Sequence, residues 1–400
     1  MKKTADAIII GAGIIGAATG YYLAKKKLKV YVLEKKFPCF GSTGRCIGGI
    51  RQQYTHPLSI NVMKESVRIF STLSQEFGKD VEWFQGGYLF LAHSEEKKQT
   101  YLKAIQIQKE YNIPVKFVSQ DDCVKIINGL NSDELLGGAY CPTDGQANPF
   151  AVTYGYLEGI KKLKGKIFTN VDVKKINVKG NKVISVITNN GDEPHPSKLI
   201  GRKRREMFNY EEGRGEYFAP IIVNAAGPWA KNVAKMVGLD VPIEPERHES
   251  LVTEACERLF DPMLVDYRAD GCYFIQNYGT GHFIGCYTQV PNDPGYHTNA
   301  SSEFITEMPR RMARLIPRLK GIKIIRQWAG SYEMTPDGNP IVDKTPIEGF
   351  YISAGMCGHG FMFGPALGKY MSELITNGKS SLPLDDFALN RSFGKAEAMK

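Results

Sequence analysis

The first forty residues alternate between short apolar runs and glycine-rich breaks. Ala7–Ile10 is a four-residue apolar run that ends in Gly11-Ala12-Gly13-Ile14-Ile15-Gly16. Small and apolar residues from Ala17 to Ala24 follow, then Lys25-Lys26-Lys27, where cations suit the C-terminal end of a helix dipole. Lys29–Leu33 is the next apolar run, closed by Glu34. The pattern predicts strand, glycine turn, helix, strand and acid in that order. Further on, Gly86–Leu91 reads as a strand and Glu95–Tyr111 as a polar helix. Gly271–Ile275 and His282–Tyr287 read as neighbouring strands joined through a turn containing Gly279. Ile221–Val223 forms a buried strand that runs into Asn224-Ala225-Ala226-Gly227-Pro228-Trp229-Ala230. Gly349–Ala354 is another strand, followed by Gly355, Gly358 and Gly360 and then a helix with Pro365 near its first turn.

Composition changes this picture little. Four hundred residues, 42% hydrophobic and 23% charged, are ordinary globular material with room for two or three domain-sized units. A disordered chain, a coiled coil and a collagen-like repeat are excluded, and no internal repeat is visible. No apolar run reaches the roughly 18 residues a membrane span needs. The expectation is a soluble, cytoplasmic protein. The net charge of +9 is modest, and its densest run, Arg202-Lys203-Arg204-Arg205, reads as a solvated loop before it reads as a nucleic-acid contact. The eight cysteines show no C-x-x-C pair, so reduced thiols and no metal site are expected.

The glycine turn carries the first chemistry. Gly11 permits a tight turn, Gly13 lets backbone approach a pyrophosphate, and Gly16 lets helix and strand pack closely. The N–H groups opening the helix face the phosphates. Glu34, 18 residues past Gly16, is placed to accept ribose hydroxyls. The fingerprint alone leaves NAD and FAD open. Phe40–Arg51, rich in glycine and small hydroxyls, supplies a loop that can wrap a second phosphate and let a flat ring lie against backbone.

These segments together resemble the D-amino-acid oxidase/sarcosine oxidase superfamily of FAD-dependent amine oxidoreductases. Within it they look most like the beta subunits of heteromeric sarcosine oxidases and dye-linked L-proline dehydrogenases. The resemblance spans Ala7 to about Asn377. It is carried by the turn Gly11–Gly16, by GGIRQQY (Gly48–Tyr54) and DGQANP (Asp144–Pro149), by NAAGPWA (Asn224–Ala230) and MTPDGNP (Met334–Pro340), and by GHGF (Gly358–Phe361). It implies an α/β fold in which a Rossmann-type FAD-binding domain (1–85, 145–235, 325–380) interleaves with a substrate domain on a mixed β-sheet (86–144, 236–324). Residues 191–218 would be an insertion, a protruding arm or a solvated loop, and 384–400 a polar tail, loose or bound to a partner.

The resemblance also implies site residues. Gly11, Gly13, Ile14, Ile15, Gly16, Glu34 and Lys35 would hold the ADP half of FAD. Ser42, Thr43 and Arg45 would meet the pyrophosphate and flavin edge, with Gly48, Gly49 and Ile50 beside them. Val173 would meet the adenine. Ala225, Ala226, Gly227 and Trp229 would also contact the cofactor, and Gly355, Gly358, His359 and Gly360 would line the flavin with Phe361. Met362 and Phe363 would begin a helix whose N–H groups stabilise the reduced flavin. Arg51 would grip a substrate carboxylate through its donor fork. Tyr332 would stand over the substrate, with Tyr273 and His248 in the same pocket. For His359 a packed loop histidine is the equal alternative to a catalytic one.

Three departures bear on the chemistry. Gly330 and Ser331 stand where some relatives tether FAD through cysteine. Pro149 stands where others attach FMN through histidine. Gly281–Gly285 holds no lysine where several oxidases have one. Noncovalent FAD and slow reaction with oxygen are expected, and a second flavin, FMN, at a subunit interface stays open. The implied activity is oxidation of a proline-, sarcosine- or glycine-like amino acid to its imine by a beta subunit that passes electrons onward. A stand-alone, peroxide-forming oxidase and a non-catalytic flavoprotein subunit are the alternatives. Another subunit or a homo-oligomer is the expected partner, with no nucleic acid.

Overall fold

The computed structural model describes residues 3–190, 214–288 and 293–394. Among them, a six-stranded sheet runs in the order Ile341–Lys344, Phe350–Ala354, Ile221–Asn224, Ala7–Ile10, Val30–Glu34 and Lys166–Thr169. All its neighbours pair in parallel except the first two. Ala7–Ile10 is at most 5% exposed, as expected of a central strand covered on both faces. The helix Ile14–Lys25 and the helix Gly360–Asn377 lie together beside this sheet, with Gly364 over Ile14 and Gly368 over Ala18. The second helix begins at Gly360, two residues before the start read from the sequence.

An eight-stranded mixed sheet forms the other half. Its order is Ile324–Met334, Glu244–Ala255, His282–Cys286, Tyr273–Gln276, Met263–Asp266, Tyr88–Ala92, Gly137–Cys141 and Lys116–Val118. The two strands expected around Gly279 pair antiparallel, with Tyr273 opposite Cys286. Ile324–Met334 pairs along Glu244–Ala255 over nearly its whole length. An expected boundary at residue 325 would put this strand with the cofactor unit, yet its backbone bonds hold it in the other sheet, so the two units share it.

A four-stranded sheet brings Lys3–Thr4, Gly215–Phe218, Lys182–Asn190 and Val171–Lys179 together. Gly215–Phe218, counted from sequence within the insertion, is therefore a paired strand whose Tyr217 is fully buried. The remainder of that arm, including Arg202-Lys203-Arg204-Arg205, lies outside the described residues. The segment expected as a loose tail is packed as far as it is described. Leu384 and Phe387 are buried, and Arg391 grips Asp337 through two hydrogen bonds of 2.8 Å. The charges of that segment hide a few apolar anchors and one buried ion pair. Residues 395–400 lie outside the described part.

Candidate active site

One continuous cavity of about 1040 Å³ runs between the two large sheets. At one end it is lined by Gly11, Gly13, Ile14, Ile15, Glu34, Lys35 and Val173. At the other it reaches Arg51, His248, Tyr273, Tyr332 and His359. Ser42, Thr43, Arg45, Gly48, Gly49, Ala225, Ala226, Gly227, Trp229, Gly358, Gly360, Phe361 and Met362 line the path between. Three residues from the sequence reading are not on this wall. Gly16 lies behind the turn, where a Cβ would meet the Gly11 carbonyl oxygen at 2.1 Å, so its work is the close packing of helix on strand. Ile50 is fully buried in a two-stranded ribbon with Gly145. Gly355 is tucked beneath Thr335.

The dinucleotide end is built on backbone. Thr43 Oγ1 accepts the N–H of Ile14 at 3.1 Å, tying the second loop to the helix start. Glu34 accepts the N–H of Ala12 and of Lys36, each at 2.8 Å. Burial raises its pKa, and those two N–H groups and Lys35 offset part of that. A carboxylate has about four lone-pair sites, which leaves acceptor capacity toward the cavity. Asp172, beside Val173, pairs with Lys35 at 3.3 Å and Lys174 at 2.6 Å.

At the far end Arg51 is 3% exposed. Its Nη1 donates to the Gln53 carbonyl, and its guanidinium lies 4.2 Å from the Tyr54 ring centroid. Its Nη2 meets His359 Nε2 at 3.2 Å. Arginine can only donate, so His359 accepts at Nε2 and carries its ring proton at Nδ1. Across the cavity, Tyr273 and Tyr332 join hydroxyls at 3.2 Å, and His248 stacks on Tyr332 at 3.9 Å. Burial raises the pKa of both phenols, so they remain neutral hydrogen-bonding groups. Gly358, at φ +84°, leaves room for the Tyr332 ring, which a Cβ there would meet at 2.5 Å. The helix that starts at Gly360 directs its first-turn N–H groups toward the same space.

Two buried acids near the site escaped the sequence reading as site residues. Asp144 is fully buried and accepts from the Gln52 N–H at 2.8 Å and from Gln53 Nε2 at 3.1 Å. It thereby fixes the loop that carries Arg51. Burial pushes its carboxyl up to about 6. The DGQANP segment itself was the available signal, though its partner was not. Glu333, on the cavity wall beside Tyr332, carried no signal beyond a charge in a strand that is mostly half-buried.

A long cavity with a glycine-turn cradle at one end and a guanidinium facing paired phenols at the other fits a flavin dinucleotide. Gly11–Ile15, Glu34, Thr43 and Val173 would hold its nucleotide half, and Gly48, Gly49 and Gly358–Met362 its ring. This arrangement defines a flavin-dependent oxidoreductase. Residues 6–374 match the FAD dependent oxidoreductase (DAO) family, and the chain belongs to it. It is 29% identical to the sarcosine oxidase subunit beta of Rhizobium meliloti (strain 1021), over 98% of this chain and 89% of that protein. Among solved structures it is similar to L-proline dehydrogenase from P. horikoshii, with TM-score 0.87, 32% identity and 98% of each chain covered. Glycine oxidase from Geobacillus kaustophilus shares the fold with TM-score 0.85 at 21% identity, over 98% of this chain and all of that one.

Proposed function

We propose that the chain oxidises an amino acid with a primary or secondary amine, of the proline, sarcosine or glycine kind, to its imine, as the catalytic subunit of a heteromeric dehydrogenase. The carrying observation is Arg51, buried on the cavity wall beside His359 and opposite the Tyr273–Tyr332 pair. Its fork suits a carboxylate, which fixes the amino acid by one end and orients its alpha carbon. His359, accepting from Arg51, holds the guanidinium in plane. Tyr332 covers the substrate, and His248 stacked behind it limits its swing. When bound, the flavin supplies the two-electron acceptor for the hydride leaving the alpha carbon. The amine lone pair then forms the C=N bond, the amine proton leaves to water, and water hydrolyses an acyclic imine. The neutral phenols are hydrogen-bond donors here, not bases.

The likeness to a sarcosine oxidase beta subunit supports the heteromeric reading. Neither Gly330 nor Pro149 has a side-chain nucleophile, which supports noncovalent FAD. A peroxide-forming oxidase is the second reading. The lysine-free segment Gly281–Gly285, on the strand that leads to the cavity-lining Cys286, favours the dehydrogenase. Anaerobic bleaching of the flavin by a panel of proline, sarcosine, glycine and their N-alkyl relatives tests the activity. No bleaching by any of them would reject it. Comparing peroxide yield with dye reduction separates the two readings, and co-purification with size analysis tests the heteromer.

A further inference from the structure

Glu333 is a buried acid that the proposed chemistry does not use. It is 7% exposed and follows Tyr332 on the strand Ile324–Met334. Strand alternation sends the two side chains to opposite faces: Tyr332 toward the substrate end, Glu333 toward the stretch between that end and the glycine turn. Its Oε2 lies 3.9 Å from where a Cβ on Gly227 would be, and both residues line the cavity. Its own carbonyl accepts the N–H of Cys357, which places it level with the turn leading into Gly358.

The carboxyl has no charged partner: among the described residues no cation stands within ion-pair distance of it. Ser42 is close, but its one hydroxyl proton is given to the Ser331 carbonyl at 2.6 Å. Burial pushes Glu333 up to about 7, although the Met356 N–H, its own N–H and Ser42 oppose the shift. A buried polar group without full partners costs stability. A sequence that keeps a carboxyl on a ligand-cavity wall therefore points to donors brought by the ligand. Phosphate oxygens bring none and repel a carboxylate. Hydroxyl groups bring donors.

We propose that Glu333 is a binding residue for the polyol chain of the flavin cofactor, accepting its hydroxyl protons midway between the phosphate cradle and the ring pocket. This rests on the FAD reading above. The full-length chain, stripped of flavin and checked for native circular dichroism, is titrated calorimetrically at pH 8 with FAD and separately with ADP, which has the phosphates but no polyol. Glu333→Gln is expected to weaken FAD at least tenfold and to leave ADP within twofold of wild type. Glu333→Asp, which keeps the charge on a shorter stem, is expected to fall between and stands in if the Gln variant does not fold. Unchanged FAD affinity would overturn the proposal. Equal weakening of FAD and ADP would overturn it too, because the acid would then act on the shared nucleotide part. Failure of the wild-type chain to bind FAD would reject the cofactor reading itself, a result distinct from either.

Discussion

Asp144 accepts the backbone N–H of Gln52 at 2.8 Å, although 92 residues separate them in sequence. That bond, with those from the Gln52 and Gln53 side chains, welds the DGQANP segment to the loop carrying Arg51. The proposed carboxylate clamp is thus braced by an acid that does not line the cavity.

Asp144→Asn keeps one acceptor for Gln52 but turns an amide toward the Gln53 amide. A loss of about 1–3 kcal/mol in stability is expected, the range for an unsatisfied buried group. The carboxyl's folded value of about 6 lies above its unfolded value near about 4. Its proton-linked stability is therefore complete below about 4 and lost as pH rises through about 6. Urea unfolding should show a wider gap between wild type and variant at pH 5 than at pH 7.5. A pH-independent gap would contradict this.

Arg51→Lys keeps the charge and loses the fork. A drop in kcat/KM of about 2–4 kcal/mol is expected, the size of breaking a buried, hydrogen-bonded charge pair, with flavin content near normal. Steady-state rates on an active amino acid, with the visible flavin spectrum as control, check both halves. Unchanged kcat/KM would remove Arg51 as the clamp.

Acid precipitation should release the flavin into the supernatant. Cys357, which lines the cavity together with Cys46, Cys272 and Cys286, shares hydrogen bonds with Thr335 and the Gly355 carbonyl. Yellow colour retained in the washed pellet, with a flavin mass on one peptide, would show a covalent link.

Arg391→Ala should destabilise the protein by about 3–5 kcal/mol, because it strands Asp337 in a site where both partners are buried. Burial raises the Asp337 pKa, but the Arg391 hydrogen bonds and charge outweigh it and lower the value overall. The pair's contribution is present above the ordinary aspartate range and lost as pH falls through the folded value. The variant's deficit in thermal unfolding should therefore shrink on acidification toward pH 3.

The dinucleotide unit was legible because its signal is local. Strand, turn, helix and acid follow one another within Ala7–Glu34, and each declares itself by its immediate neighbours. Arg51, Tyr273 and Tyr332 were legible through resemblance, although nothing in their surroundings shows that they meet. Asp144 was seen as part of a motif but not as the brace of Arg51, since its partners lie far along the chain. Glu333 was invisible because one charge in a strand looks like a solvent-facing position until the opposite wall is known. Gly215–Phe218 was misjudged because the charged run before it masks a strand that gains its pairing from Lys3–Thr4 and Lys182–Asn190.

The glycine turn near residue 11 faces a helix that begins only at Gly360, and between their strands stands Ile221–Asn224. On a ribosome adding about 5–20 residues per second, tens of seconds separate the two halves of the cradle. During that interval the nascent segment lacks the Gly358–Met362 part of the cavity wall. Cofactor loading is therefore expected late in biosynthesis, and chains that terminate early should leave the ribosome colourless.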